Sequence, residues 1–198
     1  MMPDQTGNCF HLEVQYNRQL IQMLTRVQYD TSHAGRKAVT ILVGILCLLI
    51  GGRFIGQMAE PWNYLFAIYG CFSITFINVP ARSLSEKICS AIEKSAHGYP
   101  CSLFDFGDLS FTANTKGNSG KGDTHLYSNC YRLVETKDGF FYFINRDAAF
   151  PFPLTAIPEE KRNDFRLFLE EKTGLSFMPV LTLLNFRIKG LLRRFKSK

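Results

Sequence analysis

The sequence predicts an α+β fold in two parts: a two-helix transmembrane hairpin, and a small cytoplasmic domain built on a bent antiparallel sheet capped by a C-terminal helix. Three observations predict it. Two long apolar runs, 38–52 and 61–79, follow each other across a short polar stretch. Residues 101–154 alternate strand-like runs with turn signals. From Pro158, Phe165, Phe168 and Leu169 fall on one helical face, and Gly174 ends the pattern.

With 198 residues the chain has room for one ordinary domain and an additional element. The average mean hydropathy of −0.04 hides the apolar block at 38–79. The net charge of +6 is equally local. Arg187, Lys189, Arg193, Arg194, Lys196 and Lys198 sit in the last twelve residues with no acid among them, and the rest of the chain is formally neutral. Nucleic-acid binding usually spreads basic charge over a folded face. A basic tail beside a membrane has a nearer partner in anionic lipid. The six cysteines are scattered and form no CxxC, which fits free thiols in a reducing compartment. His11, His33, His97 and His125 are isolated in sequence, so neither a metal nor any other cofactor is expected.

The first element is a strand. Phe10, Leu12, Val14 and Tyr16 alternate with His11, Glu13 and Gln15. Asn17 can cap the helix that follows, whose apolar face is Leu20, Leu24 and Val27. A lone strand and helix cannot form a core. Residues 1–37 are therefore expected to join the cytoplasmic domain, with the hairpin at 38–80 inserted between two parts of it.

Within the hairpin, Ala38–Met58 would reach about 31 Å, enough for a hydrocarbon core of about 30 Å. Pro61–Val79 is a second uncharged span. Neither run resembles a cleavable signal peptide, since a long polar segment precedes the first. Arg36 and Lys37 before the first span and Arg82 and Lys87 after the second put both termini in the cytoplasm of a two-span cell-membrane protein. Arg53 would snorkel to the far interface, where Trp62 and Tyr64 suit an aromatic belt. The expected interface residues are thus Arg36, Lys37, Arg53, Trp62, Tyr64 and Arg82. Gly52 and Gly56, and Ala67 and Cys71, have the spacing of small-residue helix contacts.

Ser83 and Glu86 have capping-box spacing, and Leu84, Ile88, Ala91 and Ile92 make a helical stripe in the connecting segment 81–97. The domain at 98–174 begins with strands Cys101–Asp105 and Leu109–Ala113. A strand over Tyr127–Glu135 and another over Phe140–Ile144 flank Lys137-Asp138-Gly139, a strong hairpin signal. Pro151 and Pro153 confine Ala148–Leu154 to an edge. Alternation through Phe140, Phe141, Tyr142 and Phe143 would send half of these rings into the core and leave half facing the membrane, a partner or another strand.

Chemistry is harder to find. Asn114–Thr124 is rich in Gly, Ser and Asn, yet Lys121 is followed by Gly122, so it lacks the Ser or Thr of a phosphate-binding P-loop. Asp105 and Asp108 bracket a turn, and Glu159 and Glu160 suit a first helical turn. No catalytic set stands out, and no enzyme is expected. In the tail, 175–198, Leu184, Ile188, Leu191, Leu192 and Phe195 fall at helical spacing opposite the six basic residues. That pattern predicts a basic amphipathic helix on anionic headgroups.

The stretch YSNCYRLVETKDGFFYFINRDAAFPFPLTAIP, an aromatic-start strand, an acidic turn, an aromatic strand and Ile157-Pro158, resembles the YcxB-like family of bacterial membrane proteins. So does the order of N-terminal strand and helix, two spans and C-terminal domain. The chain differs in carrying Glu159 where the family often has a basic residue, and in Pro151 and Pro153. The resemblance covers most of the chain and implies a pleckstrin-homology-like domain with no established activity. The expected function is a membrane-anchored binding or regulatory module whose partners are the bilayer, its anionic headgroups, and a protein partner or further copies of itself, not nucleic acid. The alternatives are an oligomeric transport component and, behind that, a membrane-associated enzyme.

Overall fold

The computed structural model describes residues 10–54, 61–95, 98–117 and 122–179. The fold is α+β, with five α-helices and two four-stranded sheets among those residues. The chain runs β1 (Phe10–Gln15), α1 (Arg18–Ser32), α2 (Ala34–Phe54), α3 (Pro61–Thr75), α4 (Val79–Lys94), β2 (Cys101–Phe106), β3 (Ser110–Thr115), β4 (Asp123–Leu126), β5 (Arg132–Glu135), β6 (Gly139–Phe143), β7 (Ala149–Pro153), α5 (Arg162–Thr173) and β8 (Met178–Pro179).

The first sheet has the order β1-β2-β3-β4, antiparallel throughout. The second has the order β7-β6-β5-β8 and is antiparallel except for the short parallel pair β5–β8. The expected single bent sheet is thus two sheets. The predicted strand over Tyr127–Glu135 is where they part: Tyr127–Asn129 is a 3₁₀ turn, and only Arg132–Glu135 is extended. The buried Tyr127 hydroxyl donates to the Gly107 carbonyl at 3.0 Å and pins that corner.

One core lies between the sheets. Phe104, Phe106 and Phe111 from the first meet Leu133, Phe140, Tyr142 and Phe152 from the second, and α5 adds Phe165 and Leu169. Ring pairs such as Phe106–Phe165 (5.1 Å) and Phe104–Phe152 (5.1 Å) are edge-on, the arrangement the ring quadrupole favours. Gly174 closes α5 at φ 67°, a left-handed cap that glycine adopts at little cost. The domain continues past Gly174, because Phe177 packs on Phe140 (5.1 Å) and Met178–Pro179 joins β5. β7 lies at a sheet edge, where its prolines leave no ladder donor unpaired.

The insertion read from the sequence is present. β1 pairs with β2 across the intervening helices, in register from Phe10 with Phe106 to Gln15 with Cys101. Asn17 caps α1 by accepting from the Leu20 amide at 2.8 Å. β6 departs from expectation, since all four of its aromatic side chains are buried. Phe140 and Tyr142 enter the inter-sheet core, whereas Phe141 and Phe143 pack with Val27, Met23 and Leu24 of α1. The chain's own N-terminal helix covers the face expected to meet a membrane or partner.

α4 also presents a different face. Ala81, Ser85 and Cys89 are buried, while Leu84 and Ile88 of the predicted stripe are exposed. Small side chains at i, i+4 and i+8 let α4 approach α1 closely. The helix starts at Val79 with a proline in its first turn, so Ser83 is not its cap.

Candidate membrane interface

α2 has 21 residues and a reach of about 31 Å. It is the one described helix that is by itself long and apolar enough to cross a bilayer; α3 with α4, bent by 41° at their break, makes a second candidate. Only 11% of the most apolar stretch of α2 is buried. Leu42 (68% exposed) and Ile68 (64% exposed) typify the outer faces of α2 and α3. Most exposed large apolar side chains among the described residues fall between Val39 and Phe76. A patch of this extent marks an interaction surface.

The two helices pack together through glycine. A Cβ on Gly70 would lie 2.7 Å from the Gly44 carbonyl oxygen, and one on Gly51 would lie 2.8 Å from the Asn63 carbonyl oxygen and the Ala67 amide nitrogen. Gly44 faces Gly70 and Ile74 while Gly51 faces Ala67 and Asn63, so the helices run antiparallel. The pair predicted at Gly52 and Gly56 does not form this seam. Gly52 meets nothing within 4 Å, and Gly56 lies outside the described residues. The spacing that matters is seven, Gly44 to Gly51, which keeps one face turned toward a partner helix. Of the second predicted pair, Ala67 is in the seam and Cys71 is exposed.

α3 ends at Thr75, short of the predicted Val79. Pro80 lacks an amide hydrogen and its ring conflicts with the carbonyl four residues back, at Phe76. The chain makes a turn over 76–78 and restarts as α4.

A polar cluster sits at this break. The Lys37 ammonium donates to Asp30 of α1 and, at 2.7 Å, to the Asn78 side-chain carbonyl. It also lies 4.9 Å from the Tyr29 ring centre, and Tyr29 stacks on His33 at 4.6 Å. The Asp30 and Lys37 side chains are 7% and 14% exposed. Lys37, expected at an interface, is therefore turned inward, where it ties α1, the foot of α2 and the end of the α3 break together. Arg36 and Arg82 are exposed beside it. One residue before the α1–α2 turn, Ser32 donates to the Arg146 carbonyl at 2.6 Å and accepts from the Arg146 guanidinium through its own carbonyl at 2.7 Å. The β6–β7 turn is thereby fastened to the helix junction.

At the opposite end of the helix pair, Trp62 and Tyr64 are exposed. Arg53 lies in the last turn of α2, but its side chain falls outside the described residues. The tail residues Arg187, Lys189, Arg193, Arg194, Lys196 and Lys198 fall outside them as well. An aspartate at the end of an amphipathic helix is the one local signal that points to the Asp30–Lys37–Asn78 cluster.

Elsewhere the titratable groups pair across strands. His11 lies 2.5 Å from Asp105, its register partner, and Lys116 lies 2.6 Å from Glu13. The Lys116 ammonium holds the Glu13 carboxyl below its usual value. Such exposed pairs contribute little to stability. Burial pushes the Cys130 thiol up to about 11 and the Tyr16 phenol up to about 12, so both stay protonated at neutral pH. A protonated thiol is a poor nucleophile. Among the described residues no group of three or more His, Cys, Asp or Glu side chains could hold a metal ion. A depression of about 540 Å³ is lined by α4 alone, including Ser83, Glu86 and Lys87.

Comparison with protein-family models, curated protein sequences and solved structures returns no match.

Proposed function

We propose that this chain is a membrane-anchored binding or regulatory module. α2 and α3 cross the bilayer as a hairpin, both termini are cytoplasmic, and the two-sheet domain closed by α5 is a YcxB-like, pleckstrin-homology-like unit held at the surface. The observation that carries this reading is the outward apolar surface of both helices. Covering each large side chain is worth about 1.5–3 kcal/mol, and hydrocarbon would cover them all at once.

The inner polar level supports the same orientation. Lys37 and Asn78 bond each other, so the helix break lies level with the start of the apolar stretch of α2. α3 alone spans about 22 Å; with residues 76–78 it reaches that level. Irregular backbone is tolerated at an interface and not in lipid. Trp62 and Tyr64 then occupy the far interface, and Arg36 and Arg82 the cytoplasmic one.

Alkaline carbonate extraction of membranes containing the full chain tests the anchor. The protein is expected to stay in the pellet; recovery as a dispersed monomer in plain buffer would overturn the reading. The basic tail is assigned to anionic headgroups, each basic residue contributing on the order of 1 kcal/mol. Trypsin is expected to cut at Arg187–Lys198 more slowly in vesicles containing anionic lipid than in neutral ones. Equal cutting rates would remove the tail from the membrane.

A further inference from the structure

The strand β4 lies over the ends of the second sheet that face the helix junction. The Tyr142 hydroxyl, near the end of β6, donates to the Leu126 carbonyl at 3.1 Å. His125 packs on Phe150, near the start of β7, at 4.7 Å. β1, at the other edge of the first sheet, lies by the turn Leu154–Ala156 that follows β7. The domain thus has a junction-side rim, formed by β4 and the loops beside it, and an opposite end.

Exposed apolar side chains gather on that rim. Within 98–117 and 122–179 five large apolar side chains are exposed, and three of them belong to it: Leu109 (79%), Leu126 (48%) and Tyr131 (50%). Ser110 is the register partner of Leu126, which puts Leu109 beside β4. The Tyr131 amide donates to the Phe143 carbonyl at 2.8 Å, at the end of β6. The Arg132 guanidinium sits 5.4 Å from the Tyr131 ring centre.

The rim is held next to the apolar helices. The bonds between Ser32 and Arg146 fasten the β6–β7 turn two residues before α2 begins, and α1 itself packs on Phe141 and Phe143. Ser32 stands six residues from Ala38, at most about 9 Å of helix. A headgroup layer is roughly 5–8 Å deep. A bilayer that solvates α2 from Ala38 onward therefore has its surface against this end of the domain. The chemistry suits that place, since tyrosine has an apolar body and a polar tip. Arg36, Arg82, Arg132 and Arg146 outnumber the exposed acids Asp123 and Asp147 on the same elements, a balance that favours anionic headgroups.

We propose that the rim formed by Leu109, Leu126 and Tyr131 dips into the headgroup–acyl boundary of the same bilayer, a second membrane contact that lays the two-sheet domain on the surface. This rests on the membrane reading above and fixes which end of the domain meets lipid and which end stays free for a partner.

The test uses the full chain in vesicles of phosphatidylcholine and phosphatidylglycerol. Trp62, the only tryptophan, is replaced by phenylalanine, and one tryptophan is returned at a chosen place. Leu109→Trp, Leu126→Trp and Tyr131→Trp probe the rim. Lys137→Trp and Glu159→Trp probe exposed sites at the opposite end, and Leu42→Trp reports the anchor. Brominated phosphatidylcholine is expected to quench the three rim positions and position 42, and to leave 137 and 159 unquenched. Quenching at 42 without quenching at the rim, or equal quenching at the rim and at 137 and 159, would overturn the docking and leave the anchor standing. Blue-shifted rim emission without quenching would mean that protein covers the rim, and would overturn the docking as well. Absence of quenching at 42 would overturn both readings.

Discussion

Replacing Lys37 with methionine is expected to destabilise the folded chain by about 3–5 kcal/mol, the cost of leaving a buried charge without its counter-ion. The Asp30 carboxylate is almost fully covered, with Lys37 against it and Arg26 only at 3.9 Å. Methionine keeps the length and apolar stem of lysine, so the loss reports the charge rather than a cavity. The Asn78 side-chain carbonyl loses its donor in the same step. Thermal unfolding in mild detergent, followed by circular dichroism, checks this, with a fall in Tm on the order of 10 °C. The double variant Asp30→Asn with Lys37→Met is expected to recover much of the loss, because the stranded carboxylate is then gone. Equal stability of wild type and Lys37→Met would mean that the cluster does not hold the junction.

Gly70→Leu should separate the two long helices. Its Cβ would collide with backbone at Gly44 and Leu48, and backbone cannot yield as a flexible side-chain end can. Overpacking usually costs 1–3 kcal/mol, and a backbone-to-backbone collision belongs at or above about 3 kcal/mol. Gly52→Leu is the matched control, since nothing lies within 4 Å of its added Cβ; its effect is expected within about 0.5 kcal/mol. Helical unfolding in detergent distinguishes the two. If Gly52→Leu proves as damaging as Gly70→Leu, the seam does not govern the response, since helix propensity favours leucine over glycine at both sites.

Local signals in the sequence carried far. The alternation in Phe10–Tyr16, the Asn17 cap, the Asp138-Gly139 hairpin and the Gly174 stop each depend on neighbours within a few residues, and each has its structural counterpart. What stayed hidden depends on distant partners. Phe141 and Phe143 read as an outward face because nothing nearby in sequence says that α1 lies over them. The sequence stripe of α4 rests on large apolar residues such as Leu84 and Ile88, whereas close approach to α1 selects its smallest. Lys37 looked like a flanking charge because its partners, Asp30 and Asn78, lie on opposite sides of the first apolar run.

The division of the domain around its two long apolar helices sets an order of events during synthesis. Some 85 residues separate Gln15 from its strand partner Cys101. At 5–20 residues per second, that is a wait of about 4–17 s. Throughout it β1 is an open edge, and open edges recruit other chains. Both long apolar helices leave the ribosome in that interval. The nascent chain therefore commits to its solvent before its domain can close, and a protein stalled short of Cys101 would carry an unguarded strand beside whatever surface had received the helices.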